Sequence, residues 1–256
     1  MPNGNPFPMN VLVVGAGEMG RWLGEALRDG RDAPVDLAVT DADPAVADAA
    51  ADALGARAVS PDTDERFDLV CVAVPIPATP EVIAEFADNA TAAMADLAGY
   101  MAGPLAAMSE HVPECERISL HPLFAADNAP GNVAAVVEDG GEVAGAIRDA
   151  LVARGNEWVE TDAATHDEAM ETVQASAHAA VLAFALAARE VPQPFHTPIS
   201  AGLFDLVEQV TGNDPRVYAD IQETFEGAHA VADAAREIAD ADRDAFEDLY
   251  AEASDG

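Results

Sequence analysis

Gly15-Ala16-Gly17-Glu18-Met19-Gly20 follows an apolar run and opens a helical pattern. In this G-x-G-x-x-G spacing Gly15 permits a tight turn, Gly17 lets backbone approach a pyrophosphate, and Gly20 lets a helix close onto a strand. The unpaired amides at the helix start would then face phosphate oxygens. Asp41 ends the second apolar run. It stands close to the ~20 residues beyond the loop at which an acid accepts hydrogen bonds from adenosine ribose hydroxyls. Its competing role is to cap the helix that starts at Pro44, a task Asp43 can share. No Arg follows Asp41 directly to meet a 2′-phosphate, so NAD is favoured over NADP. Val74-Pro75-Ile76 closes the fourth apolar run, at the edge where open α/β sheets bind ligands; a Pro-rich breaker is the alternative reading.

A second group of candidate residues lies further along. Gln174 and His178 stand four residues apart and share one face of a helix, with Met170 one turn earlier. Two hydrogen-bonding side chains among Ala, Val and Met need partners if buried. A ligand would supply them, and so would a helix–helix or subunit contact. Cys71 and Cys115 lie in or beside apolar runs and do not suggest a disulfide framework. No metal site is expected.

The elements that must position these residues change character along the chain. Up to about residue 160, apolar runs (10–14, 35–39, 56–59, 69–74, 92–95, 118–120, 133–137) alternate with helical patterns (19–28, 44–54, 80–87, 143–153). That alternation predicts an α/β sheet covered on both faces. From Thr161 onward helical periodicity takes over. Thr165 with Glu168 reads as a capping box opening a helix to about Ala188. Helices over 199–210, 215–225 and 231–250 follow. The expected domains are therefore residues 10–160 and 161–256.

The chain has 256 residues, of which half are apolar, enough to bury a core. It carries 47 acidic residues against 12 basic ones, a net charge of −35, and every basic residue is Arg. This balance argues against counterion-displacing nucleic-acid binding and equally disfavours anionic membranes. No apolar run approaches the ~20 residues of a membrane span. Met1–Pro8 shows no signal-peptide pattern, so a cytoplasmic protein is expected. A Lys-free acidic surface resembles proteins of salt-in halophiles. At about 1 M salt the screening length of ~3 Å removes most of the self-repulsion.

Four segments resemble the prephenate/arogenate dehydrogenase family of tyrosine biosynthesis: Gly15–Gly20, Val72–Pro75, Ser119-Leu120-His121-Pro122-Leu123-Phe124, and His166-Asp167 with Met170, Gln174 and His178. A fifth, Asp214–Ile221, is similar to that family's C-terminal helical region. The resemblance implies a Rossmann-type NAD-binding domain followed by an all-α domain that builds a homodimer. It implies NAD-dependent oxidative decarboxylation of prephenate or arogenate, with His121 polarising the ring hydroxyl and Gln174 and His178 facing substrate. His166, beside Thr165, reads as structural. Where the family places Ser, Lys and Arg, this chain has Gly99, Met101 and Gln209. Arg189 and Arg216 are the remaining candidates to anchor a carboxylate in the helical half. Two other readings stand beside this one: a dehydrogenase of another small hydroxy or imino acid, and a non-catalytic NAD-sensing protein.

Overall fold

Apolar residues at successive strand positions bury both faces of one sheet. In the computed structural model, which describes residues 7–255, the chain divides into two units, one ending at Asp167 and the other starting at Glu168. Residues 1–6 of the N-terminal stretch read above lie outside the described residues. The first unit holds β1 (Met9–Val14), β2 (Val35–Thr40), β3 (Arg57–Ala58), β4 (Phe67–Val72), β5 (Ala90–Asp96), β6 (Glu116–Pro122), β7 (Asn132–Glu138) and β8 (Glu157–Glu160). They form a single sheet in the order β3-β2-β1-β4-β5-β6-β7-β8. β1 to β6 run parallel, β7 is antiparallel to β6, and β8 is parallel to β7.

The helices of this unit are α1 (Glu18–Asp29), α2 (Pro44–Leu54), α3 (Thr79–Glu85), α4 (Ala102–His111), α5 (Glu142–Ala153) and the start of α6 (Ala163–Met170). Val11, Val13, Leu69 and Cys71 pack on one face with Leu23 and Leu27 of α1 and Ile147 and Leu151 of α5. Leu12, Val14, Val70 and Val72 point the other way, onto Ile83 of α3 and Met108 of α4. Each such side chain, fully buried, contributes roughly 1.5–3 kcal/mol relative to exposure. This two-faced burial is why the strands read as continuous apolar runs. It is the α/β architecture expected from the sequence, followed by a helical part.

Some boundaries differ from the expectations. β4 stops at Val72, so Val74-Pro75-Ile76 lies in the loop beyond it. β8 and α4 were not anticipated: β8 is a short edge strand of Glu, Trp, Val and Glu, and α4 carries Gly103-Pro104 in its first turn. Pro is tolerated there because the first amides of a helix lack intrahelical partners. Asp162, not Thr165, caps α6: its carboxylate accepts from the Thr165 amide (2.9 Å) and hydroxyl (2.7 Å).

The second unit continues with a π-helical segment over Glu171–Ser176 and then α7 (Ala177–Ala187), α8 (Pro198–Thr211), α9 (Pro215–Thr224), α10 (Gly227–Asp240) and α11 (Arg243–Asp255). Pro198 and Pro215 sit at helix starts beside the caps Thr197 and Asp214. The single helix expected over 231–250 is two, because Asp242 interrupts it and caps α11 through the Ala245 amide (3.0 Å). The stretch Ala163–Ala187 is long and apolar enough, by length and composition, to cross a bilayer. This differs from the expectation of no membrane-length apolar run, because the stretch owes its hydropathy to Ala rather than to large apolar residues.

Candidate active site

The carboxyl edge of the sheet gathers the candidate residues of the first unit. Gly15 adopts φ +93°, and a Cβ there would stand 2.3 Å from the Ala73 carbonyl oxygen. A Cβ on Gly20 would stand 2.0 Å from the Gly15 carbonyl oxygen, so α1 closes tightly on the turn. Gly17 is different. It caps α1 without a side chain, and a Cβ on it would meet nothing within 4 Å. The start of α1 is thus uncrowded at Gly17, as the close approach of an anionic ligand requires.

The other loop residues border this opening. Ala16 donates its amide to Asp41 Oδ2 (2.8 Å), and Glu18 accepts from the Ala126 amide (3.0 Å). Met19 lies in the first turn of α1. Asp41 also accepts from the Asp43 amide (3.0 Å), while Asp43 itself caps α2 through the Ala45 amide. The helix-cap alternative for Asp41 is therefore removed, and each of its oxygens retains a lone pair. Val74 flanks Gly15, and Pro75 and Ile76 follow it into the next turn.

His121 lies near the end of β6, which runs parallel to β5, and is 8% exposed. Its Nδ1 is 3.0 Å from Nε2 of His166, which is 3% exposed, and His166 Nδ1 is 2.8 Å from Asp167 Oδ1. Its Nε2 edge faces Gly99, where a Cβ would stand 3.1 Å away. Burial, aided by the neighbouring His166 and opposed by Asp167, pushes the His121 pKa down to about 3, so the ring is neutral. His166 and Asp167 were not anticipated as partners of His121. The pair stood among the segments that carry the family resemblance, but nothing in its spacing linked it to His121.

Asp96, fully buried at the end of β5, has its pKa pushed up to about 7 by burial. The Ala98 amide and the nearby Ser119 hydroxyl oppose that shift. Ser119 is near enough to favour the carboxylate, yet neither its Oγ nor Asp96 Oδ2 makes a well-formed hydrogen bond. An acid with a raised folded pKa stabilises most below its unfolded value of about 3.9 and loses that contribution as pH climbs through the folded pKa. Asp96→Asn keeps the acceptor for Ala98 without the charge. Its stability relative to wild type should therefore increase between about pH 5 and about pH 8. Urea melts at the two pH values test this, and a pH-independent difference would contradict it.

In the helical unit, Gln174 lies in the π-helical segment and His178 in α7, both half-buried. The π segment replaces the regular α spacing assumed for Met170 and Gln174. The His178 ring meets Tyr218 edge-on at 4.8 Å, its Nδ1 is buried without a hydrogen-bond partner, and burial lowers its pKa. Gln209, Arg189 and Arg216 are exposed, and Arg216 pairs with Asp214 at 3.6 Å.

The family profile described as prephenate dehydrogenase, nucleotide-binding domain, matches residues 23–138. A 4-amino-4-deoxyprephenate dehydrogenase from Streptomyces pristinaespiralis is 32% identical over 259 residues, spanning 91% of this chain and 83% of that protein. The fold is shared with the prephenate dehydrogenase of Aquifex aeolicus, solved in complex with hydroxyphenyl propionate and NAD+ (TM-score 0.71, 16% identity, 96% of this chain and 95% of that one). It is also shared with Synechocystis arogenate dehydrogenase (TM-score 0.62, 16% identity, 96% and 98%). A parallel-dominated sheet, a glycine loop at its carboxyl edge and a helical second part define a Rossmann-type oxidoreductase. The chain belongs to the prephenate dehydrogenase family, whose members are NAD-dependent enzymes.

Proposed function

We propose that this protein oxidises a prephenate-type ring with loss of carbon dioxide, using NAD, and that His121 is the base. The buried, neutral His121 at the carboxyl edge of the sheet carries this reading. Gly17 and the first amides of α1 would hold the pyrophosphate, Asp41 the adenosine ribose, and Val74-Pro75-Ile76 would wall the cofactor. Bound NAD supplies the hydride acceptor. His121 accepts the proton from the group on the reacting ring carbon, and its low exposure keeps water from competing for that proton. Decarboxylation makes the ring aromatic and the step irreversible. The resemblance assigns Gln174 and His178 to substrate orientation, and the unpartnered Nδ1 of His178 supports that role. We propose further that the helical unit pairs with a second copy, a reading supported by exposed Leu186, Phe195 and Ile199.

The relative from Streptomyces favours a second substrate, in which an amino group replaces the ring hydroxyl. A neutral imidazole accepts a hydrogen bond from either group, so His121 does not discriminate between them. Purified protein in molar KCl, offered NAD or NADP with prephenate, arogenate and 4-amino-4-deoxyprephenate, tests the reading by NADH formation. Turnover with one of the three is expected, with NAD preferred. NAD binding without turnover on any of them would contradict it.

A further inference from the structure

The groups behind His121 form a directed chain. Asp167 accepts from the amides of Met101 (3.0 Å) and Ala102 (3.0 Å), capping α4 from 65 residues away, and its Oδ1 also meets His166 Nδ1. A carboxylate can only accept, so the proton of a neutral His166 sits on Nδ1 and its lone pair on Nε2. That lone pair faces His121 Nδ1, which must then carry a hydrogen. The lone pair of His121 falls on Nε2, the edge that looks onto Gly99. Every hydrogen bond in the series therefore points the same way, toward Asp167.

We propose that His166 and Asp167 are a proton relay that serves His121. The proposal rests on the reading of His121 as the base. As the O–H or N–H bond on the reacting carbon breaks, a bond forms from that proton to His121 Nε2. The His121 Nδ1–H bond breaks and a bond forms to His166 Nε2. As the electron pair of the ring C–H bond leaves as hydride to the nicotinamide, the pair of the O–H or N–H bond closes a C=O or C=N bond. When carbon dioxide departs, the pair of the breaking C–C bond enters the ring, the C=O or C=N pair returns to oxygen or nitrogen, and the proton comes back to that atom through His121, so no net proton is released. Until then His121 is neutral, with its proton on the other nitrogen. The positive charge rests on His166, 2.8 Å from the Asp167 carboxylate. At His166 a buried imidazolium is paired directly with a carboxylate, which is the physical reason to move the proton one ring further. His166 and Asp167 are positioning residues in this scheme.

Single turnovers in molar KCl, followed in mixtures of light and heavy water, test the relay with His121→Asn, His166→Gln and Asp167→Asn. Gln at 166 can accept from His121 Nδ1 but cannot take its proton. The wild-type rate should bow with deuterium content because two protons move together. His166→Gln should be slower by about 10²-fold at unchanged substrate affinity, with a linear dependence. Asp167→Asn keeps one oxygen as acceptor for His166 and the Met101 amide, gives up the bond from the Ala102 amide together with the charge, and should slow the step by about tenfold while keeping the bow. In the ligand-free protein, 15N spectra of the imidazoles should show both rings protonated on Nδ1. A linear wild-type response, or His166→Gln at the wild-type rate while His121→Asn is inactive, overturns the relay and leaves the base intact. His121→Asn at the wild-type rate overturns the base reading itself. Should His166→Gln not fold, the wild-type response and the 15N tautomers decide, and an Nε2–H tautomer at His121 refutes the relay.

Discussion

His121→Asn is expected to lower kcat by about 10²–10⁴-fold, the usual contribution of a positioned general base, while leaving NAD affinity unchanged. Asn Nδ2 can occupy the place of imidazole Nδ1 and donate to His166, so the hydrogen bond seen at 3.0 Å is retained. What is lost is the lone pair that, in the proposed mechanism, takes the substrate's proton. The same substitution should change stability with a definite sign. Burial holds the folded pKa of His121 near 3, below its ordinary 6.5. A His of this kind contributes stability that is fully present above its unfolded pKa and is lost as pH falls through the window between the two values. The Asn variant lacks that acid-side loss. Kinetics and denaturant melts on one preparation check both statements. Wild-type turnover in a folded variant would remove His121 from the mechanism.

The glycine loop gives the second large effect, through a contrast between two positions. Gly20→Ala places a methyl group 2.0 Å from the Gly15 carbonyl oxygen, which is backbone and cannot swing aside. A loss on the order of 3 kcal/mol or more is expected, in the tail of single-substitution effects where backbone must shift. Gly17→Ala meets nothing within 4 Å in the protein itself, so the melting temperature should stay within a degree or two of wild type. On the proposed reading of the loop its methyl group meets the pyrophosphate instead, and NAD affinity should fall by at least about tenfold, or 1.4 kcal/mol. Thermal melts and NAD titrations separate the two variants. Equal NAD affinity in Gly17→Ala and wild type would move the pyrophosphate away from this turn.

The sheet was legible because strands buried on both faces must be apolar at consecutive positions, as Val11 to Val14 and Leu69 to Val72 are. β8 escaped because an edge strand needs no such run, and its Glu157 and Glu160 conceal it. α4 escaped because Gly103-Pro104 reads locally as a break, and the carboxylate that caps the helix, Asp167, is remote in sequence. The α10–α11 interruption turned on one capping carboxylate, Asp242, within a stretch of helix-favouring Ala.

The candidate site divides in the same way. Gly15 to Gly20 and Asp41 were visible as local patterns, and so was the competition between Asp41 and Asp43 for the cap, whereas His121 was legible only through the family resemblance of its segment. The contact of His121 with His166 was not, because β7 and β8 intervene in sequence and only the sheet order returns the start of α6 to the end of β6. A neighbour created by topology leaves no spacing to read.

Deuterium transfer is the most direct test of the central claim, that this chain moves a hydride from a prephenate-type ring to NAD. The best substrate, labelled with deuterium at the ring carbon bearing the hydroxyl or amino group, should yield NADH carrying the label on the nicotinamide ring, with one carbon dioxide released per NADH. Tight NAD binding with no label transferred and no carbon dioxide released, in salt that keeps the protein folded, would contradict the account and leave an NAD-binding protein without this chemistry.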